Sequence, residues 1–175
     1  MKAIRFLPHL FVAVGLVLGA VDLVREWKTT RVLELAAKQA VRVTVTVPLH
    51  SAACTDRTPC AIESAADAAK QYLVSAGFRE ALCINPNGPS FSGILVWVFS
   101  CDGSPACSTS DRAVCVKIDM TAVTVGPNET VIPSSRVTVQ YPHSWTVSSV
   151  LGLLPRSSGW LPKSVSTSAL MPLPL

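Results

Sequence analysis

The sequence has little charge and few aromatic residues. Of its 175 residues, 15% are charged, 6% are aromatic and 49% are hydrophobic, whereas soluble domains usually carry about 25% charged residues. This hydrophobic share excludes a chain that is disordered throughout. The net charge is only +4, and after Arg42 the charges are sparse and of mixed sign. We therefore expect no nucleic acid among the partners, because its binding requires a dense basic face.

Catalytic motifs are also missing. The sequence contains no G-x-S-x-G, H-E-x-x-H, Walker-type phosphate loop or G-x-G-x-x-G, each of which would place a nucleophile, a metal or a cofactor. With three histidines, a serine-histidine-aspartate triad stays an alternative. Its candidate members are His50, His143, Asp102, Asp111 and Asp119. We predict a protein that is not an enzyme and uses no cofactor.

The cysteines form no C-x-x-C pair, so the usual zinc and thioredoxin-like spacings are missing. Six cysteines lie close together among small polar residues, which predicts disulfides made in an oxidising compartment. The disulfide candidates are Cys54, Cys60, Cys83, Cys101, Cys107 and Cys115. Local spacing favours pairing Cys54 with Cys60 and Cys101 with Cys107, which leaves Cys83 and Cys115 to join two strands. The alternative is zinc bound by Cys101, Cys107, Cys115 and His50, but we predict no metal site.

One long apolar run occupies residues 6–24, where His9 and Asp22 are the only ionisable residues. Its length is close to the roughly 20 residues with which a helix crosses a bilayer. Lys2 and Arg5 precede it, and this positive flank predicts a cytoplasmic N-terminus with the rest of the chain in the periplasm or outside the cell. The alternative is a cleavable signal peptide whose apolar core ends near Gly19.

Residues 22–47 contain neither proline nor glycine, and their apolar residues recur three or four apart. This pattern favours a retained anchor whose helix continues to about Val43. We therefore predict a membrane anchor at 1–24, a continuation of the helix at 25–47 and an exported, disulfide-containing α+β domain at 48–175. Small residues are candidates for close helix packing. They are Gly15, Gly19, Ala20, Ala36 and Ala40.

The exported part begins with a loop and a second, alanine-rich helix at 62–78 that Gly77 ends. From Glu80 onward the apolar period changes to two, which predicts strands at 80–85, 94–99, 113–125 and 135–141 and a last edge strand at 164–170. Loops rich in glycine, proline and serine separate them at hairpin distances. The expected fold is α+β, with a long N-terminal membrane-spanning helix and a second helix packed on an antiparallel sheet.

The order of these elements is similar to that of the TadE-like proteins of the tight-adherence, or Flp, pilus assembly system. The segments that carry the resemblance are the helix end at 36–43 and the stretch VTVQYPHSW at 137–145, where the family usually shows V-x-V-x-Y-P-aromatic. Two departures stand out. No acidic residue precedes Asp22, whereas the family usually has a glutamate just inside the apolar run, and His143 replaces an aromatic residue.

The resemblance implies a pilin-like fold and the role of a minor pilin or pseudopilin in pilus assembly, secretion and cell adhesion. Such a single-pass subunit is not catalytic, and its partners are the lipid bilayer and other pilin or pilus-assembly subunits. The missing glutamate leaves leader processing open. Two other readings remain, namely a solitary membrane-anchored extracytoplasmic binding domain and a secreted hydrolase.

Overall fold

The computed structural model describes residues 7–47, 59–84, 89–93, 95–103, 107, 114–125, 131–143 and 164–173, with side-chain exposure in the first helix from Val12 onward. The chain is α+β, and two helices pack on one antiparallel sheet. The coarse fold prediction is therefore confirmed. The loop predicted at 48–61 lies outside the described residues up to residue 58, with Cys54, and its last two residues belong instead to the second helix, which begins at Cys60.

The first helix, α1, runs without a break over Leu7–Thr46. Its 40 residues span about 60 Å at the usual rise of an α-helix. The predicted continuity is confirmed. The helix ends three residues beyond Val43, so it includes most of the β-branched run at its end. Membrane-spanning character is not supported: in the part of the chain with described side chains, no helix is long and apolar enough to cross a bilayer.

The second helix, α2, covers Cys60–Ser75 and ends in a Schellman motif. The Phe78 N–H donates to the Leu73 carbonyl and the Gly77 N–H donates to the Val74 carbonyl, both at 3.0 Å. Gly77 has a φ of +96°, which a glycine adopts without the steric penalty of a Cβ. The predicted stop at Gly77 is confirmed.

The sheet is a five-stranded antiparallel meander in the order β1-β2-β3-β4-β5. Its strands are β1 (Ser90–Gly93), β2 (Val96–Ser100), β3 (Cys115–Val125), β4 (Val131–Pro142) and β5 (Ser164–Pro172). The predicted strands at 94–99, 113–125, 135–141 and 164–170 correspond to β2 to β5, and β4 begins four residues earlier than expected. The predicted meander and the last edge strand are therefore confirmed.

Two sequence-based assignments between α2 and β2 are wrong. The segment expected to be a strand at 80–85 forms a short 3-10 helix over Arg79–Cys83, because Ala81 and Ile84 are three residues apart and both are buried. The stretch between the strands expected at 80–85 and 94–99 was predicted to be a loop, but it contains β1, which pairs with β2. The apolar period of this short stretch was too brief to distinguish a strand from a 3-10 turn.

The core lies between the helices and one face of the sheet. Val114, just before β3, and Val116 and Ile118 within it are fully buried, while Lys117 and Asp119 are partly exposed. The alternation expected for a sheet with one covered and one wet face therefore holds over residues 116–119, but not at Cys115, which is also buried. The helices contribute mainly small side chains. Their fully buried residues are Leu33, Ala36, Ala37, Ala40, Ala61, Ile62, Ala65, Ala66, Ala69 and Leu73.

Disulfides are present, but two of the predicted pairs are wrong. Cys83 pairs with Cys101, with 5.0 Å between the Cα atoms, and Cys107 pairs with Cys115, with 5.5 Å between them. The prediction joined Cys101 to Cys107 by short spacing alone. Cys101 instead faces the 3-10 helix that carries Cys83, whereas Cys115 opens β3. Cys60 is also disulfide-bonded, and no described cysteine is a free thiol.

Candidate functional site

The N-terminal half of α1 exposes apolar side chains over more than half of its circumference. We define residues 12–24 as the apolar segment. Its exposed residues, with their exposed fractions, are Val12 63%, Val14 46%, Leu16 70%, Val17 63%, Val21 42%, Leu23 62% and Val24 64%. Asp22 is its only ionisable residue and is 1% exposed. The exposed surface of this segment therefore carries no charge.

A band of basic and aromatic residues follows the apolar segment on the same helix. Trp27 is 65% exposed, and the Arg31 guanidinium lies 5.8 Å from the centre of its ring. Arg25 and Lys28 are exposed as well. Exposed tryptophan next to arginine and lysine is typical of the boundary between an apolar environment and water. The surface of α1 therefore changes from apolar to basic within about one helical turn.

Beside this band lies a cleft of about 370 Å³, which we call the basal cleft. Three parts of the chain form it, namely α1, the end of α2 with the 3-10 helix, and the end of β4. Its lining residues are Arg25, Lys28, Thr29, Ala76, Gly77, Phe78, Glu80, Tyr141, Pro142 and His143. These residues combine two cationic side chains with one carboxylate, an arrangement that suits a small charged ligand.

The Schellman motif builds one wall of the basal cleft. It directs Phe78 back towards the core, where its ring meets the Tyr141 ring edge to face, with 4.8 Å between the centroids. The Tyr141 hydroxyl then donates a hydrogen bond of 2.6 Å to Oε2 of Glu80. The turn after α2 and the end of β4 are thereby joined across the cleft.

The hydrogen bond between Tyr141 and Glu80 contributes to a shifted pKa in both side chains. It lowers the pKa of Glu80 below its ordinary value, because the phenol stabilises the carboxylate. The pKa of Tyr141 is raised, first by burial and then by the hydrogen bond and the charge of Glu80. At neutral pH the pair therefore consists of an ionised carboxylate and a protonated phenol.

The predicted helix-packing residues separate into two groups. Ala36 and Ala40 are fully buried in the core, where α1 contacts α2 and the sheet. A Cβ added at Gly15 or Gly19 would meet no atom within 4 Å, and Ala20 is exposed. The small residues of the apolar segment thus pack against no described part of this chain, and a contact with another helix there stays a prediction.

Among the candidate triad residues that the structure describes, Asp119 and His143 lie far apart. Asp119 is opposite Arg136 in the β3–β4 pairing, so it lies about 23 Å along β4 from His143. Asp119 accepts hydrogen bonds from the N–H and hydroxyl of Thr121, and Asp102 is exposed. His50 and Asp111 lie outside the described residues.

The described lining of the basal cleft contains no serine and no cysteine, and Thr29 is the residue there with an aliphatic hydroxyl. The cysteines Cys101, Cys107 and Cys115 of the zinc alternative are oxidised, so they provide no thiolate ligands. A search of the described residues finds no cluster of three metal-ligating side chains.

Of the residues that line the basal cleft, the sequence analysis names only His143 as a candidate site residue; it does not bring Lys28, Glu80 and Tyr141 together. Glu80 had been assigned to a strand, and 61 residues separate it from Tyr141, so no local pattern could join them. Lys28 did carry a signal, because it is among the first basic residues after the apolar run. Comparison with known proteins adds no further constraint: no protein family, no curated protein and no solved structure matches the chain.

Proposed function

We propose that this chain is a membrane-anchored, non-catalytic subunit of a tight-adherence type pilus assembly system, similar to a minor pilin or pseudopilin. It would act by packing its first helix, in lipid and later against other subunits. The observation that carries the proposal is the uncharged, exposed surface of the apolar segment. A surface of this kind is unusual in a monomer that stays in water and marks a contact with a membrane or a protein.

The division of α1 supports this role. Its C-terminal half belongs to the core, with Leu33 and Ala40 fully buried, whereas Leu16 and Val24 in its other half are exposed. A helix satisfies its own backbone hydrogen bonds, so the apolar segment can move from lipid to a protein surface without refolding. The apolar run of the sequence begins at residue 6 and thus extends beyond the residues with described exposure.

The disulfides support export of the folded part. Cys83–Cys101 and Cys107–Cys115 are both formed, and structural disulfides are stable chiefly in oxidising compartments such as the periplasm. A protein with an apolar helix at its front and a cystine-containing domain behind it fits a single-pass topology with an external C-terminal domain.

Alkaline carbonate extraction of membranes from expressing cells tests the anchor. We expect the unaltered protein to stay in the membrane pellet and Leu16→Arg to be released, because an arginine within an apolar span costs about 2.5 to 3.5 kcal/mol. Gln39→Arg is the matched control, since Gln39 is an exposed residue in the other half of the same helix. Release of the unaltered protein, or equal behaviour of both variants, would contradict membrane anchoring.

The basal cleft favours a second candidate function, that of a solitary binding domain. Cross-linking through the apolar segment distinguishes this candidate from a pilus subunit. Leu16→Cys should give oxidant-dependent cross-links between copies or to other pilus-assembly subunits, because a subunit packs through this surface. Gln39→Cys should give none. A membrane-retained Leu16→Cys protein that stays entirely monomeric after oxidation would favour the solitary domain.

A further inference from the structure

We propose that the basal cleft binds a phosphoethanolamine group, that is, a phosphate linked to a primary amine. The α1 wall of the cleft is basic, with Arg25 and Lys28, and the wall formed by the 3-10 helix carries the acidic Glu80. A simple anion would be attracted by the two basic residues but opposed by Glu80, and a simple cation would be attracted by Glu80 but opposed by the two basic residues. A ligand that carries both charges satisfies both walls.

Lys28 is the principal phosphate ligand in this arrangement. Lys28 is exposed and lines the cleft, and among the described residues it forms no salt bridge, whereas Lys38 and Arg31 on the same helix are paired with Glu34. An ammonium group offers three N–H donors, and hydrogen bonds between charged groups are stronger than neutral ones. Arg25 adds a second positive charge to the same wall.

Glu80 is the amine ligand. Its Oε2 accepts the 2.6 Å hydrogen bond from Tyr141, which orients the carboxylate and keeps it ionised. An ionised carboxylate has about four acceptor positions, so one bond from a phenol leaves capacity for the N–H groups of an ammonium. A primary amine can donate to these positions, whereas a quaternary ammonium has no N–H group to donate.

The size and position of the cleft agree with such a ligand. Its volume of about 370 Å³ lies at the lower end of the range for small-molecule sites. Lys28 follows Val24, the last residue of the apolar segment, by about 6 Å along the helix axis, which is the depth of lipid headgroups if the apolar segment lies in a bilayer. A lipid source of the ligand therefore rests on the proposed function, while a soluble source does not.

Calorimetric titration of the full chain in detergent micelles tests the ligand class. The probes are O-phosphoethanolamine, inorganic phosphate and ethanolamine at equal ionic strength. We expect O-phosphoethanolamine to bind about tenfold more tightly than either fragment, since each charged hydrogen-bonded contact accounts for roughly a factor of ten or more. Equal binding of all three probes, or no binding of O-phosphoethanolamine, would overturn the proposal.

Two variants assign the walls of the cleft. Glu80→Gln should remove the preference for O-phosphoethanolamine over phosphate without weakening phosphate binding, and Lys28→Gln should weaken both by about tenfold. Tyr141→Phe keeps the Glu80 carboxylate but loses the hydrogen bond that orients it, so it should reduce the preference less than Glu80→Gln does. Arg42→Gln is the control, because it is an equal charge change on the same helix outside the cleft. Lys28, Glu80 and Arg42 are all exposed, so thermal melting can verify that these variants fold. An unchanged preference in Glu80→Gln would refute the assignment.

Flotation with vesicles distinguishes a lipid source from a soluble one. The full chain is mixed with phosphatidylcholine vesicles that contain phosphatidylethanolamine, phosphatidylglycerol or neither. Stronger flotation with phosphatidylethanolamine identifies a membrane lipid, whereas equal flotation together with calorimetric binding identifies a soluble ligand. Stronger flotation with phosphatidylglycerol would overturn the proposal, because Glu80 would then have no role. Failure to float with any vesicle would count against the membrane anchor and not against the cleft.

Discussion

At the scale of single residues, Gly77 determines how the chain passes from α2 into the basal cleft. Its φ of +96° lies in the left-handed region, which residues with a Cβ disfavour. The hydrogen bonds of the Schellman motif close around this glycine and place Phe78 against the core. The contact between Phe78 and Tyr141, and so the wall that carries Glu80, follows from this backbone conformation.

Gly77→Ala should lower the free energy of unfolding by about 1 to 2 kcal/mol. An added Cβ would meet no atom within 4 Å, so the loss comes from backbone conformation and not from a clash. Gly19→Ala is the control, because its Cβ also meets nothing and alanine favours a helix; it should not destabilise the chain. Urea denaturation of the full chain in detergent measures both, and equal losses would contradict this account.

Tyr141→Phe should reduce the pH dependence of stability at both ends of the pH range. The folded-state pKa of Glu80 is lowered from 4.5, so its contribution is present above that value and is lost as the pH falls through the folded pKa. The folded-state pKa of Tyr141 is raised from 10.0, so its contribution is present below that value and is lost as the pH rises. The phenylalanine variant lacks the hydrogen bond responsible for the first effect and the group responsible for the second.

Denaturation midpoints between pH 3 and pH 11, for the unaltered chain and for Tyr141→Phe, check this expectation. The difference between the two proteins should be largest near neutral pH, at about 1 kcal/mol for one hydrogen bond, and should shrink towards both extremes. A difference that is independent of pH would mean that the stabilisation comes from packing of the Tyr141 ring alone.

Sequence reasoning succeeded at this scale where one residue type has one strong preference. Gly77 as a helix stop is an example. It failed for Glu80 and Tyr141, because their hydrogen bond depends on how the end of β4 returns to the turn after α2. A contact of this kind depends on the topology of the fold, and the spacing of apolar residues along the chain does not predict it.

At the scale of elements, α1 and α2 approach each other through small side chains. Ala36, Ala37 and Ala40 of α1 are fully buried, as are Ala65 and Ala69 of α2. Close packing of such interfaces leaves little space for added methylene groups. The short distance between the two helices therefore depends on the small size of these alanine side chains.

Ala40→Leu should destabilise the chain by about 1 to 3 kcal/mol, the usual effect of overpacking a close-packed core. Gln39→Leu introduces the same side chain at the neighbouring, exposed position and should change the free energy of unfolding by less than about 0.5 kcal/mol. Thermal and urea denaturation compare the two variants. A tolerated leucine at position 40 would show that the helices can move apart without loss.

The long helices and strands could be predicted from the sequence, whereas the short ones could not. The absence of helix breakers from Asp22 to Val47 was sufficient to predict the long α1, and strict alternation was sufficient for β3 and for the segment SVSTSAL of β5. The 3-10 helix and β1 are only 5 and 4 residues long, so neither shows a full period. The cysteine pairing failed for a related reason, since spacing along the chain does not report which turns meet at one end of a sheet.

At the scale of the whole molecule, the described disulfides and the basal cleft share one end of the sheet. Cys115 is opposite Gln140, one residue before Tyr141 of the cleft, and Cys83 belongs to the same 3-10 helix as Glu80. The other end of the sheet is where Val125 of β3 pairs with Val131 of β4. Towards this end the Thr44 hydroxyl of α1 donates a hydrogen bond of 3.0 Å to the Ser135 hydroxyl of β4. Covalent bonds thus hold the end where the apolar segment leaves the domain.

Removing the Cys83–Cys101 bond should destabilise the chain more than removing Cys107–Cys115. The first closes a loop with a sequence separation of 18 and the second one of 8, for which loop entropy gives about 3 and about 2.5 kcal/mol. Double serine variants at each pair, compared by urea denaturation, measure these values. A larger loss for the Cys107–Cys115 pair would show that native contacts, and not loop entropy, dominate.

The contact between α1 and β5 joins the first element of the chain to the last. Val165 and Ala169 of β5 belong to the same core cluster as Leu33 and Ala36 of α1. During synthesis, the alanine face of α1 consequently emerges long before the strand that covers part of it. A ribosome-bound chain that stops before residue 164 would leave the part of this face that β5 covers open to chaperones or to a neighbouring nascent chain, and the core would be complete only once β5 is released.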